Sequence, residues 1–91
     1  MELILETPKD IANSVAADFK KLRKIKKISV KELSEKSGVS YSSIKRFEYT
    51  GEISFVSLIK IASVLNAEQA IKKIFSEIPP MSIQEVIRGN Y

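Results

Sequence analysis

The sequence of 91 residues contains no cysteine and no histidine. These absences exclude disulfide bonds and a cysteine nucleophile, and they remove the usual ligands of zinc and the commonest general base. Glycine is scarce as well, and Gly38, Gly51 and Gly89 lie far apart and singly, so the sequence has no glycine-rich phosphate loop. We therefore expect no metal site, no cofactor and no catalytic residue, and we do not expect an enzyme.

Long apolar runs are also missing. No stretch approaches the roughly 18 apolar residues that cross a bilayer, and the acidic, proline-containing residues 1–10 lack the basic start of a secretory signal. We expect no membrane association and a cytoplasmic location. The apolar share of 44% suits a protein that folds in water, and a chain of this length forms a single core. We assign that domain to residues 1–78 and treat residues 79–91 as a tail.

Acidic residues are absent from residues 20–31, although this segment contains seven basic side chains. They are Lys20, Lys21, Arg23, Lys24, Lys26, Lys27 and Lys31. Residues 1–19 carry a net charge of −3, and acids and bases balance over residues 32–91, so the net charge of +4 comes from this one short segment. Such a cluster is the electrostatic signature expected for a polyanionic partner, and a solvated basic helix face would have the same composition.

Capping signals predict a series of helices. Thr7, Pro8 and Asp10 form a helix start, and the first helix extends to about Lys27. Its apolar residues recur at spacings of three and four, which predicts that they share one face. These residues are Ile11, Val15, Phe19, Leu22 and Ile25.

Four further helices follow. Ser29 with Glu32 opens the second helix, which ends at Gly38, and Ser40 opens the third, which runs from Tyr41 to about Tyr49 before Gly51. The fourth helix lies between Ser54 and Asn66. The fifth covers residues 67–77, because Pro79 and Pro80 forbid its continuation.

The most specific pattern lies within residues 30–47. Gly38 suits a tight turn, Ser34 is small where two helices would cross, and four apolar residues would hold those helices together. The four are Leu33, Val39, Ile44 and Phe47. This spacing resembles the Cro and phage-repressor type of helix-turn-helix, the XRE-like family, in which the position of Ser34 is usually alanine. The resemblance implies an all-α, five-helix bundle of the lambda-repressor-like type. An ordinary five-helix bundle without a nucleic-acid role is the alternative.

The resemblance also implies a mode of binding to double-stranded DNA, in which the second helix of the motif reads base edges in the major groove. The base-reading positions would be Ser40, Tyr41, Ser42, Lys45 and Arg46. The phosphate contacts would be Lys26, Lys27, Ser29, Lys31, Ser43 and Thr50. Arg46 has an alternative, which is an ion pair with Glu48 or Glu52 on the surface.

Specific operator binding by such a small motif implies a homodimer. The expected interface is formed by Ile71, Ile74, Phe75 and Ile78, unless these residues complete the core of the monomer. The predicted function is a transcriptional repressor that reads a palindromic operator. Two alternatives remain: an antitoxin that regulates its own operon and binds a HipA-like toxin, and a protein-interaction module without DNA binding. The apolar tail would contact the dimer or such a partner.

Overall fold

The computed structural model describes residues 5–76, which form five α-helices without any strand in this range. The helices are α1 (Pro8–Ile25), α2 (Val30–Ser37), α3 (Tyr41–Thr50), α4 (Phe55–Val64) and α5 (Glu68–Lys72). The predicted all-α class is therefore confirmed. The predictions for Ile78 and the tail 79–91 lie outside the described residues. None of the helices in residues 5–76 has the length and apolar character needed to span a membrane.

The predicted helix starts are confirmed. Thr7 and Asp10 form a reciprocal capping box, in which the Asp10 amide donates to Thr7 Oγ1 at 3.0 Å and the Thr7 amide donates to the Asp10 carboxylate at 3.0 Å. Ser29, Ser40 and Ser54 each accept a hydrogen bond from the backbone amide three residues further on. These hydroxyls satisfy amides that have no partner inside the helix.

The helix ends are equally well defined by left-handed residues. Gly38 (φ 78°) ends α2 and Gly51 (φ 80°) ends α3. The turns after α1 and α4 contain Lys27 (φ 58°) and Asn66 (φ 56°). All four positions lie where the sequence predicts the end of a helix.

The core forms where α1, α2, α3 and α4 meet. Leu33, Ile44, Ile61 and Leu65 are completely buried, and the rings of Phe19 and Phe47 meet edge to face at 5.4 Å. The remaining buried members of this cluster are Ala16, Val30 and Val39. The four apolar contacts predicted for the motif are therefore all part of the core.

The predicted inner face of α1 is partly wrong. Ile11, Val15 and Ile25 are exposed, and the buried residues of the helix are Ala16, Phe19 and Arg23. The spacing of apolar residues does define a stripe, but α3 packs against the neighbouring side of the helix. That side includes an arginine whose charge has a partner, so burial there does not require an apolar residue.

The predicted length of α5 is also wrong, because its regular part covers Glu68–Lys72 and not residues 67–77. Ala67 offers no side-chain cap, and no residue of the helix is buried. After Lys72 the chain continues in tight turns, in which the amide of Ile74 donates to the carbonyl of Ile71. A helix this short with no buried face has little to stabilise it.

Candidate nucleic-acid interface

Ser34 fixes the turn between α2 and α3 with its hydroxyl group. Its Oγ donates to the carbonyl of Val39 at 2.7 Å, and the Val39 amide donates to Ser37 Oγ at 3.1 Å. A Cβ on Gly38 would meet nothing within 4 Å, so only the positive φ of that residue favours glycine. Serine at position 34 is therefore more than a small residue, because alanine could not form the bond to Val39.

Three hydroxyl groups cluster at the amino end of α3. Ser40 Oγ accepts from the Ser43 amide at 3.1 Å and donates to Ser43 Oγ at 2.7 Å, and Ser42 Oγ lies 3.3 Å from Ser40 Oγ. All three serines and Tyr41 are exposed. This end of α3 therefore presents small hydrogen-bonding groups and one aromatic ring to solvent.

The two basic side chains of α3 differ in their surroundings. Arg46 pairs with Glu52 at 3.2 Å, which is one of the two partners considered from the sequence. Both side chains are largely exposed, so the pair contributes little and can open at small cost. Lys45 is exposed and forms no salt bridge within residues 5–76. Thr50 uses its hydroxyl proton inside the helix, where it donates to the carbonyl of Arg46 at 2.7 Å.

The amino end of α2 combines a helix dipole with exposed cations. Ser29 Oγ accepts from the Glu32 amide at 3.0 Å, and Lys31 is exposed in the first turn. Lys26 and Lys27 are exposed in the turn just before it. Helix amino ends attract anions, because unpaired amides and the aligned peptide dipoles point there.

A buried ion pair connects α1 to α3. Arg23 donates to both carboxylate oxygens of Glu48, at 2.7 and 2.8 Å, and it also donates to the carbonyl of Ile28 at 2.9 Å. The exposed fractions of the two side chains are 9% and 4%. The hydrogen bonds to Glu48 raise the pKa of Arg23 above its ordinary value. One guanidinium group thus fixes α3 relative to α1 and to the chain that enters α2.

This buried pair is not among the features predicted from the sequence. Arg23 is the only arginine among the seven basic residues of the segment 20–31. Arginine suits buried pairs with a carboxylate because its planar fork binds both oxygens at once. That single difference from lysine was the signal available, and it could not identify Glu48 as the partner.

The carboxyl end of α3 is held by the first turns of α1. Lys9 Nζ donates to the carbonyl of Thr50. A Cβ on Gly51 would lie 2.9 Å from the backbone carbonyl carbon of Ala12, a contact too close to tolerate. Gly51 is thus required both for its positive φ and for the close approach of the two segments.

The basic segment keeps its charge on the surface apart from Arg23. The other six cations are exposed, and they are Lys20, Lys21, Lys24, Lys26, Lys27 and Lys31. Lys20 lines a shallow cleft beside α3 together with Lys45 and Tyr49. The basic surface therefore extends from α1 onto the outer side of α3.

A family model described as helix-turn-helix matches residues 19–68, which is more than half of the chain. The chain belongs to this helix-turn-helix family. The predicted resemblance to the Cro and phage-repressor type is thereby confirmed, and membership supports DNA binding by a regulator of the XRE type. Comparisons with curated proteins and with solved structures gave no significant match.

The helix-turn-helix brings together most of the residues predicted to contact DNA. Tyr41, Ser42 and Lys45 are exposed on α3 and Ser40 is exposed at its N-cap, whereas the buried residues of the helix are Ile44 and Phe47. Thr50 is only partly exposed and its hydroxyl is engaged, so it offers less to a phosphate than Ser43 or Ser29. No group of three acidic side chains within residues 5–76 is placed to hold a metal ion.

Proposed function

We propose that the protein is a sequence-specific transcriptional repressor whose α3 reads base edges in the major groove of a palindromic operator. The observation that carries this proposal is that α3 is fixed against α1 while the outer side of its amino-terminal half stays exposed. The helix is tied to α1 by Glu48 in its last turn and by Thr50 at its end, while Lys45 and the serines at its start remain exposed. A reading helix needs such rigid support, because base contacts tolerate little displacement.

Each exposed group of α3 has a matching chemistry on DNA. Lys45, and Arg46 once released from Glu52, donate to O6 and N7 of guanine, which is the commonest specific contact in the major groove. The ring of Tyr41 makes an apolar contact with a thymine methyl group. The hydroxyl of Ser42 forms hydrogen bonds with more than one kind of base. These side chains would supply the sequence preference.

The amino end of α2 would hold the DNA backbone. Ser29 and Lys31, with Lys26 and Lys27 before them, place a hydroxyl and three ammonium groups beside the helix amides. Ser43 adds a hydroxyl from α3, and Thr50 has a secondary role. Contacts of this kind position a protein on DNA without reading its sequence.

The repressor would act as a homodimer that contacts DNA through two copies of α3. Ile74 is 50% exposed and Phe75 is 88% exposed, and Ile71 lies beside them, so this end of the molecule carries apolar surface in need of cover. Ile78, the fourth residue of the predicted interface, lies outside the described residues. A symmetric dimer would place two reading helices about 34 to 36 Å apart, one turn of DNA, and would match a palindromic site.

A binding measurement tests the proposal. The preferred duplex is selected from a random pool, and its affinity is compared with that of a scrambled duplex of equal composition at about 50 mM and about 200 mM salt. The proposal predicts binding to the selected duplex about 10³-fold or more tighter than to the scrambled one, and weakening of both by salt. Equal affinity for the two duplexes, or no binding to either, would contradict it.

The second candidate function is an antitoxin that regulates its own operon and also binds a toxin. The observation in its favour is the exposure of Phe55 and Val56 at the start of α4, because neither residue is among those proposed to contact DNA. A neighbouring reading frame for a toxin, and capture of that toxin by the wild-type chain but not by Phe55→Ser, would support it.

A further inference from the structure

An apolar groove lies between α1 and α5, with α4 as its floor. Val15, Phe19 and Leu22 line it from α1, and Leu58 and Ala62 line it from α4. The wall on the side of α5 consists of Ala67, Ala70, Ile71 and Ile74. The groove has a volume of about 290 Å³, and Asp18 is the only charged residue among those of residues 5–76 that line it. It therefore suits a strip of aliphatic side chains.

The groove leaves apolar surface in water on both of its walls. Val15 is 47% exposed on α1, and Ile74 is 50% exposed on the opposite wall. Such surface costs roughly 25 cal/mol for each Å² that stays in contact with water. Covering the groove would also cover Val15 and Leu22, two residues of the predicted apolar stripe of α1 that are not buried by the rest of residues 5–76.

We propose that residues 77–91 of the same chain cover this groove. The segment continues directly from Ser76, two residues after Ile74 in the groove wall. It contains six apolar side chains among its 15 residues, which is more than a solvated end normally carries. They are Ile78, Met81, Ile83, Val86, Ile87 and Tyr91.

Tethering favours this segment over a second copy as the occupant. Fifteen residues reach up to about 50 Å when extended, which is ample to cross the groove from Ser76. A short flexible connection gives the attached segment a local concentration in the millimolar range, far above that of a free partner.

The proposal also divides the apolar surface of the α5 end between two partners. Ile74 and Ala70 face the groove and are covered by the segment 77–91. Phe75 does not line the groove and stays available to the second copy in the dimer. Because Ile71 and Ile74 line the groove and Ile78 belongs to the segment, the dimer surface proposed above then rests on Phe75.

Paramagnetic broadening tests the proposal in the full chain. Since the protein has no cysteine, Gln84→Cys places one nitroxide label in the middle of the segment. Methyl signals of Leu58, Ala62 and Ala70 are then compared between the oxidised label and the same label after reduction. We expect these signals to lose most of their intensity, and we expect no loss in a mixture where isotope and nitroxide are on different chains.

Two charged variants provide matched controls. Ala70→Arg places a long cation in the groove wall and should restore the methyl intensities of Leu58 and Ala62. Gln69→Arg introduces the same cation at the neighbouring exposed residue, which lies outside the groove. This control variant should leave the loss of intensity unchanged. Loss of intensity in the mixed sample would show that a second copy supplies the cover. That result would overturn the proposal, as would the absence of any loss in the singly labelled chain.

Discussion

The helix-turn-helix and the α5 end differ in how their apolar residues are covered. In residues 29–51 both helices start at a serine cap, end at a left-handed glycine and bury two residues each. In residues 67–76 the helix has no side-chain cap and buries nothing, although Ile74 and Phe75 are apolar. The comparison teaches that the apolar residues of the motif are covered by the core shared with α1 and α4, while Ile74 and Phe75 stay exposed within residues 5–76.

The largest expected effect comes from the buried pair that supports the motif. Arg23→Met leaves the Glu48 carboxylate buried without its partner, and losing one member of such a pair costs about 3–5 kcal/mol. The double variant Arg23→Met, Glu48→Met removes both charges, so it should lose less than Arg23→Met alone. Urea unfolding at 25 °C measures both losses. A loss for the double variant equal to or greater than that for Arg23→Met would show that the pair is not coupled as described.

The second prediction compares the loss of stability when one isoleucine of each region is replaced by alanine. Ile44→Ala opens a cavity in the core and should lower the free energy of unfolding by about 2–5 kcal/mol. Ile74→Ala makes the same chemical change at a half-exposed position and should cost less than half as much. The measurement is again denaturant unfolding, and equal losses for the two variants would remove the distinction between the regions.

The difference between the regions also explains what the sequence could predict. Ser29, Ser40, Gly38 and Gly51 act through the backbone within a few residues, so their pattern is readable without knowing the fold. The spacing of Leu33, Ile44 and Phe47 adds the crossing of two helices. All of these predictions are confirmed by the positions of the helices and by the core.

The remaining features depend on contacts between distant parts of the chain. Arg23 and Glu48 are 25 residues apart in the sequence, and Gly51 and Ala12 are 39 residues apart. No local sequence pattern therefore predicts either contact. The length of α5 was overestimated for a related reason. Ile71, Ile74 and Phe75 repeat at helical spacing, but periodicity shows only that a face is apolar and not what covers it.

The third prediction compares the two glycines that end the motif helices. Gly38→Ala has room for its Cβ, so it should cost only the left-handed backbone penalty of about 1–2 kcal/mol. Gly51→Ala carries the same penalty and also drives its Cβ against Ala12, so it should cost clearly more. Thermal unfolding of the two variants measures the difference. Losses of the same size would mean that the approach of α1 to the end of α3 is looser than described.

The smallest effect concerns the start of α1. The amide and hydroxyl of Thr7 hold the pKa of Asp10 below its ordinary value of 3.8. A lowered folded-state pKa gives a stabilisation that is present above pH 3.8 and is lost as the pH falls through the folded-state value. Asp10→Asn removes this titration, so its melting temperature should fall less steeply below pH 3.8 than that of the wild type. Parallel curves in acid would contradict the role of the carboxylate in the cap.

The affinity of single-residue variants for a preferred operator and for scrambled DNA tests the central claim most directly. Lys45→Ala and Arg46→Ala should each lose about 1–3 kcal/mol on the operator and alter the base preference, because they remove contacts to bases. Lys31→Ala should weaken binding to both duplexes alike, because it removes a phosphate contact. Lys36 is an exposed lysine that pairs with Glu32 and is not among the predicted DNA contacts. Lys36→Ala should therefore change the affinity for neither duplex. If Lys45→Ala and Arg46→Ala weaken operator and scrambled DNA equally, α3 is not the reading helix.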